Sequence, residues 1–229
     1  MKRVKCVGAT VGLGRLFLLL FVLFTILFLP TVNAQQTQLT DGQLEAAAIE
    51  VPQLVDLLEL KPGLTIADVG AGFGAWTMAF SRVIGPAGRV YATDIGDAQL
   101  AALRDTIQRE GLTNVTVLEG AVSATNLPAL CCDAILVRDA YHHFTEPEGM
   151  VQSLAASLKP GGRLAVIDFP PRSNSSVPSG VLANRGGHGV PPEVVQREVG
   201  AALTAARTIP NWAPGSQPAS LYLVLFRKP

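Results

Sequence analysis

Two stretches of this chain carry residues whose types and spacing suit chemistry. The first is Asp68-Val69-Gly70-Ala71-Gly72-Phe73-Gly74, with Asp94 following 24 residues after Gly70. Glycine lets a backbone approach a ligand closely, and a helix that opens just after such a loop presents free N–H groups to it. An acid at the end of the next strand can accept both ribose hydroxyls of a nucleoside. Loop and acid together predict a nucleoside-bearing cofactor, although Gly70-x-Gly72-x-x-Ala75 alone also satisfies the dinucleotide fingerprint. The second stretch is Arg138-Asp139-Ala140-Tyr141-His142-His143-Phe144. A histidine, with its ordinary pKa of about 6.5, suits proton transfer, and Asp139 suits orienting it. The same two histidines can instead cap a strand end and bind loop backbone. His188, in Gly186-Gly187-His188-Gly189, and Asp168 are further candidates on the substrate side, and no metal site is expected.

These residues need a scaffold that brings strand ends together, and the hydrophobic pattern supplies one. Residues 41 to 60 place Leu44, Ala47, Ala48, Val51, Leu54, Val55, Leu57 and Leu58 near the helical period, with Pro52 as a blemish. Leu64 to Val69 reads as a strand, Ala75 to Ile84 as a helix and Arg89 to Thr93 as a second strand. The alternation continues with a helix at 98–110, strands at 115–118 and 133–137, a helix at 147–158, and a strand at 163–169 after the turn Lys159-Pro160-Gly161-Gly162. Pro170 to Pro192 reads as a long loop. A helix near 193–202 and strands near 205–209 and 221–227 complete the chain. Strands alternating with helices predict an α/β fold with a doubly wound, mostly parallel sheet covered on both faces. His142, Asp168 and the glycine loop then fall at the same edge of that sheet.

On these residues the chain resembles the class I S-adenosylmethionine-dependent methyltransferases over roughly residues 61 to 227. The family's first motif is similar to Ala67-Asp68-Val69-Gly70-Ala71-Gly72-Phe73-Gly74, with an acid two positions before the first glycine, where a dehydrogenase usually has an apolar residue. The Lys159-Pro160-Gly161-Gly162 turn and the closing Leu221-Tyr222-Leu223-Val224-Leu225-Phe226-Arg227 strand are similar too. The segment Arg138 to Phe144 resembles a subgroup of small bacterial methyltransferases, some with export signals. The resemblance implies a Rossmann-like seven-stranded sheet with an antiparallel last strand and S-adenosylmethionine as cofactor. It implies that Gly70, Ala71, Gly72 and Gly74 face the methionine end, Asp68 orders the loop, Asp94 holds the ribose and Ile95 covers the adenine. Arg138 joins the cofactor-facing set, with a plain strand-end charge as its other reading. By their place after the fourth strand, His142, His143, Asp139 and Tyr141 are the candidate catalytic set beside a small-molecule methyl acceptor. Many relatives carry an acid after the third strand for the adenine amino group, but Gly120 to Asn126 here holds none.

Two other readings of the same residues stand beside this one: a nicotinamide-dependent oxidoreductase, and a non-catalytic exported module that keeps the fold. Asp68 and the antiparallel closing strand disfavour the first.

The formal charge is zero, from 18 Lys+Arg and 18 Asp+Glu, but the charge is unevenly placed. Residues 1–34 carry Lys2, Arg3, Lys5 and Arg15 and no acid, which leaves a mildly acidic remainder. Such a remainder gives no electrostatic reason to expect nucleic-acid binding. A cationic start, the apolar stretch Leu16 to Leu29 interrupted only by Thr25, and the small residues of Val32-Asn33-Ala34 have the layout of a secretory signal peptide. That stretch covers roughly 21 Å as a helix, short of the roughly 30 Å hydrocarbon layer, so cleavage after Ala34 is expected. An uncleaved anchor at residues 7–29 is the alternative, and would be the chain's only attachment to a membrane. The expected organisation is a leader at 1–34, a helical segment at 35–60 and a catalytic domain at 61–229. Of the three cysteines, Cys131 and Cys132 are adjacent; side chains of neighbouring extended residues point to opposite faces, so the pair reads as apolar filler rather than a bridge.

Overall fold

A computed structural model of the chain describes residues 39–172, 175–213 and 220–229; the predicted leader at 1–34 lies outside them. Helix α1 (Asp41–Leu57) opens on a capping box, in which the Thr40 hydroxyl accepts the Gln43 N–H while the Gln43 side chain accepts the Thr40 N–H. This satisfies two backbone donors that a helix start otherwise leaves orphaned. The apolar stripe along α1 buries Ala46, Ala47, Val51 and Leu54 in the same core as the sheet.

The strands are β1 (Thr65–Val69), β2 (Arg89–Asp94), β3 (Val115–Glu119), β4 (Cys132–Arg138), β5 (Leu158–Asp168), β6 (Thr204–Ile209) and β7 (Tyr222–Arg227). They form one sheet in the order β3-β2-β1-β4-β5-β7-β6. Pairing is parallel from β3 across to β5, and β7 runs antiparallel to both β5 and β6. This is the expected sheet, with its closing strand inserted between β5 and β6.

Alternate residues of the central strands enter opposite cores, as the two-residue period of a strand dictates. Ile66, Leu136, Ala165, Ile167, Leu223 and Leu225 join one cluster with α1 and with α2 (Ala75–Ile84). Ala67, Ile135, Val137, Leu164, Val166 and Val224 join the other, with α4 (Pro147–Ser157) and α5 (Pro192–Val199). Helix α3 (Asp97–Arg109) rests on β2 and β3 through Leu103, which meets Ala71 and Ala92. Both faces are therefore covered, which explains the near-continuous apolar strands of the sequence.

Three local features differ from the sequence reading. Lys159 to Gly162 does not separate a helix from a strand. Strand β5 already starts at Leu158, and its pairing with β4 jumps from Cys132↔Leu158 to Ala134↔Arg163, so the Pro-Gly-Gly residues form a bulge inside a strand anchored on both sides. Cys131 and Cys132 are joined by a disulfide. The opposite-face argument fails because the chain is still turning there: Leu130 has a φ of 52° and β4 begins only at Cys132. The long loop after β5 also contains structure, namely a 3₁₀ turn at Ala183–Arg185 and an antiparallel bridge between Arg172 and His188. Among the described residues no helix is long and apolar enough to cross a membrane.

Candidate functional site

Four strands, β1, β2, β4 and β5, deliver their carboxyl ends to one edge of the sheet, the place where ligands bind in open α/β folds. At the end of β1, Asp68 is buried and its Oδ2 accepts the Thr77 hydroxyl of α2 at 2.6 Å. Burial, reinforced by the nearby Asp94 charge, pushes the Asp68 carboxyl up to about 6 against the opposing Thr77 hydrogen bond. The loop that follows is drawn over the sheet by two bonds, from the Gly70 and Ala71 N–H groups to the Thr93 carbonyl at 2.9 and 3.0 Å.

Gly70 adopts a φ of 76°, and a Cβ there would lie 2.5 Å from the Ala140 Cβ. Only glycine allows the loop after β1 to touch the loop after β4. Gly72, with a φ of 53°, has no neighbouring atom within 4 Å of where its Cβ would stand, so the crest of the loop is open. Asp94 ties this crest down: its Oδ2 accepts the Gly72 N–H at 2.7 Å, and its Oδ1 accepts the Ile95 N–H at 2.7 Å. A carboxylate oxygen has lone pairs for more than one donor, so Asp94 can hold the loop and still accept hydroxyls from a ligand. Burial raises its pKa, against those two backbone bonds. Ile95 is 52% exposed and Val122, in the loop after β3, 50%, which leaves apolar surface uncovered where the acid expected for adenine is absent. Gly74 closes the loop as the N-cap of α2.

The second predicted stretch turns sharply. Asp139 sits in the left-handed region at a φ of 54°, a conformation that Asp tolerates better than most residues. Its N–H donates to the Ile167 carbonyl at 2.8 Å, and residues 141–143 form a 3₁₀ turn. Burial raises the Asp139 carboxyl, with Arg138 opposing. His142 is buried, and its Nδ1–H donates to Asp168 at 2.9 and 3.1 Å while its backbone N–H donates to the same carboxylate at 3.0 Å. Its Nε2 lies 3.1 Å from Nε2 of His188. His143 points outward, yet burial together with His142 and His188 pushes its pKa down to about 4. His188 is also lowered, chiefly by burial.

The structure therefore brings together Asp68, the glycine loop, Asp94 and Ile95 on one side of the Gly70–Ala140 contact, and Asp139, His142, His143, Asp168 and His188 on the other. Two predicted residues stand elsewhere. Tyr141 is fully buried and its hydroxyl donates to Glu198 of α5 at 2.9 Å, so it braces the loop against a helix instead of facing a substrate. Burial and Glu198 push its phenol above its ordinary value. Arg138 is engaged beneath the site, where Glu50 of α1 accepts its Nε–H and Nη2–H at 3.1 and 2.9 Å and its guanidinium stacks 4.0 Å from the Trp76 ring. The base role read from the sequence for His142 is constrained as well, because both of its ring nitrogens already face partners.

Glu50 is the residue that the sequence reading missed. It accepts Trp76 Nε1–H at 3.2 Å as well as the Arg138 guanidinium, and is completely buried. A signal for it exists in the sequence: Glu50 lies on the helical stripe of Ala46, Ala47 and Leu54, and an acid on an apolar stripe requires a partner.

Residues 66–162 match a family described as "Methyltransferase domain". Among curated proteins, the chain is 30% identical over 116 residues to the ubiquinone/menaquinone biosynthesis C-methyltransferase UbiE of Pasteurella multocida, a match covering 50% of this chain and 43% of that protein. The UbiE of Enterobacter sp. strain 638 is 33% identical over 116 residues, covering 50% and 46%. The matches thus span less than half the length of these relatives. Among solved structures, a SAM-dependent methyltransferase from Aquifex aeolicus has a TM-score of 0.60 at 23% identity, covering 82% of this chain and 99% of that one. The [4+2]-cyclase SpnF has a TM-score of 0.64 at 17% identity, covering 94% and 95%. The matched segment runs from β1 through the bulge of β5 and contains the glycine loop, Asp94 and the histidine turn, so residues 66–162 are similar to a methyltransferase domain and the sheet has the fold of a solved SAM-dependent methyltransferase.

Proposed function

We propose that this protein binds S-adenosylmethionine on the glycine loop and catalyses transfer of its methyl group to a small-molecule acceptor lodged against the histidine turn, on the far side of a membrane. The observation that carries the reading is the pairing of an open loop crest at Gly72 with an Asp94 carboxylate that both fixes that crest and keeps acceptor capacity. The residues fit the cofactor in kind: Gly70 to Gly72 leave room for its methionine end, Asp94 suits its ribose, and the exposed Ile95 suits an adenine face. When bound, the cofactor supplies an electrophilic methyl on a sulfonium centre. The protein's own contribution is alignment, which lowers the barrier of such a displacement. The Gly70–Ala140 contact fixes the distance between the two loops, and Asp139 and His143 form the solvent-facing rim on the acceptor side.

The relatives named for ubiquinone and menaquinone biosynthesis act on small molecules, and a small acceptor suits this chain too. The predicted leader supports export, and the Cys131–Cys132 disulfide accords with an oxidising compartment. The test is a calorimetric titration with S-adenosylhomocysteine and, separately, NAD. Binding of S-adenosylhomocysteine is expected, weakened about 10- to 100-fold in Asp94→Ala, as loss of charge-assisted hydrogen bonds predicts. Tight NAD binding with no response to S-adenosylhomocysteine would overturn the proposal in favour of a dehydrogenase.

A further inference from the structure

The chain has three histidines, and all three meet at one place. His142 and His143 come from the turn after β4; His188 returns to them from a loop 46 residues after His142. That return is built into the backbone. The Arg172 N–H donates to the His188 carbonyl at 3.0 Å, and the Val190 N–H donates to the Phe169 carbonyl at 3.0 Å. Gly187, at a φ of 136°, passes so near Arg172 that a Cβ would lie 2.8 Å from its carbonyl oxygen. His188 is thus held against His142 by the closed base of the loop.

The orientation of His142 is fixed just as firmly. Asp168 is fully buried and accepts the ring Nδ1–H and backbone N–H of His142, together with the Phe169 N–H at 2.9 Å. A carboxylate on Nδ1 keeps the proton there and directs the Nε2 lone pair outward, the arrangement that commonly orients a metal-ligating histidine. That lone pair faces His188 Nε2 at 3.1 Å. Two nitrogens on a tetrahedral zinc, at about 2.0–2.1 Å bond length, stand roughly 3.3–3.4 Å apart. The observed pair is close to that edge length without any rearrangement. The ring of His143 lies 4.0 Å from that of His142 and 5.9 Å from that of His188, and one ring nitrogen from each of the three falls within 4.8 Å of the others. His143 is exposed, so a side-chain rotation can close the third bond without moving the core.

We propose that His142, His143 and His188 form a three-nitrogen site for a zinc-class divalent ion, with Asp168 as the positioning carboxylate. An all-imidazole donor set suits zinc and its transition-metal neighbours and not magnesium or calcium, which prefer oxygen. Three protein ligands leave a fourth position for water or for an oxygen or nitrogen donor of a small ligand. In the metal-free protein the His142–His188 contact is an N–H···N hydrogen bond. Metal entry needs the His188 proton to move to its Nδ1, with no net proton release.

The experiment uses the whole protein, stripped with chelator and titrated with Zn2+ by calorimetry and with Co2+ by visible absorption. A single ion per chain and the intense bands of tetrahedral Co2+ are expected. His143→Ala, at an exposed position, and His188→Ala should each lose at least tenfold in affinity while the metal-free circular dichroism stays as in the wild type, with the melting temperature unchanged in His143→Ala and only modestly lowered in His188→Ala, which loses the hydrogen bond to His142. Asp168→Asn should lose about 10- to 100-fold, as outer-shell partners of ligating histidines do. Absence of stoichiometric binding in the wild type, or wild-type affinity in both histidine variants, would leave only the N–H···N bond and overturn the site. The titration contains no cofactor, so metal binding without S-adenosylhomocysteine binding would uphold this site while ending the methyltransferase reading.

Discussion

At the scale of single residues, Asp68 shows how the site holds charge against its own fold. Its carboxyl is buried beside Asp94, and its native pKa of about 6 lies above the ordinary 3.8 of an unfolded chain. The native state therefore keeps a proton that the unfolded state has already released. This group's stabilisation is full below about pH 4 and is lost as pH rises through about 6. The amide of an Asp68→Asn variant is neutral throughout, so the stability of the wild type relative to that variant should fall between pH 4 and pH 6 and then level off. The drop should be about 3 kcal/mol, the free energy that a rise of this size represents. Denaturant melts of both proteins across that range provide the measurement, and a flat difference would show that Asp68 is not buried as a carboxylate. Residues of this kind were legible in the sequence because their signal is local: Asp68, Gly70, Gly72 and Asp94 act within one strand-loop-helix unit and its neighbour. The convergence of His188 on His142 was not, since it depends on how a loop of roughly 20 residues folds back, and neither was the inward turn of Tyr141, which adjacency to the histidines disguised.

At the scale of elements, α1 is keyed to the sheet by Glu50. One buried carboxylate there satisfies the Arg138 guanidinium at the end of β4 and the Trp76 indole of α2, so three elements share a single polar junction inside an apolar cluster. Removing one member of a buried pair leaves the other charge desolvated and uncompensated, which is far more costly than the pair itself is stabilising. Glu50→Ala should destabilise the fold by about 3–5 kcal/mol. Glu50→Gln, which keeps an acceptor for Trp76, should cost less. Chemical denaturation followed by tryptophan fluorescence distinguishes the two, and equal, small losses in both would mean that water replaces the carboxylate. The elements themselves were largely readable, because parallel strands buried on both faces leave continuous apolar runs and the helices between them keep their period. What the pattern could not show was the continuity of β5 through Lys159 to Gly162: a Pro-Gly-Gly stretch has the composition of a turn, and only its pairing with β4 on either side makes it a bulge.

At the scale of the whole molecule, a zero formal charge hides two unlike parts. The first 34 residues hold four cations and no acid, and the remainder holds 14 basic and 18 acidic side chains. If the leader is removed, the protein that functions is acidic, and its disulfide at the start of β4 sits in a compartment that maintains it. Under the proposed function, export would also separate the protein from the cytosol, where S-adenosylmethionine is made. The mature chain should begin at Gln35, the residue after the small side chains of Val32-Asn33-Ala34, and should be recovered without detergent. N-terminal sequencing and intact mass of the protein isolated from the exported fraction decide this. A chain that retains residues 1–34 and leaves the membrane only with detergent would replace the cleaved leader by an anchor.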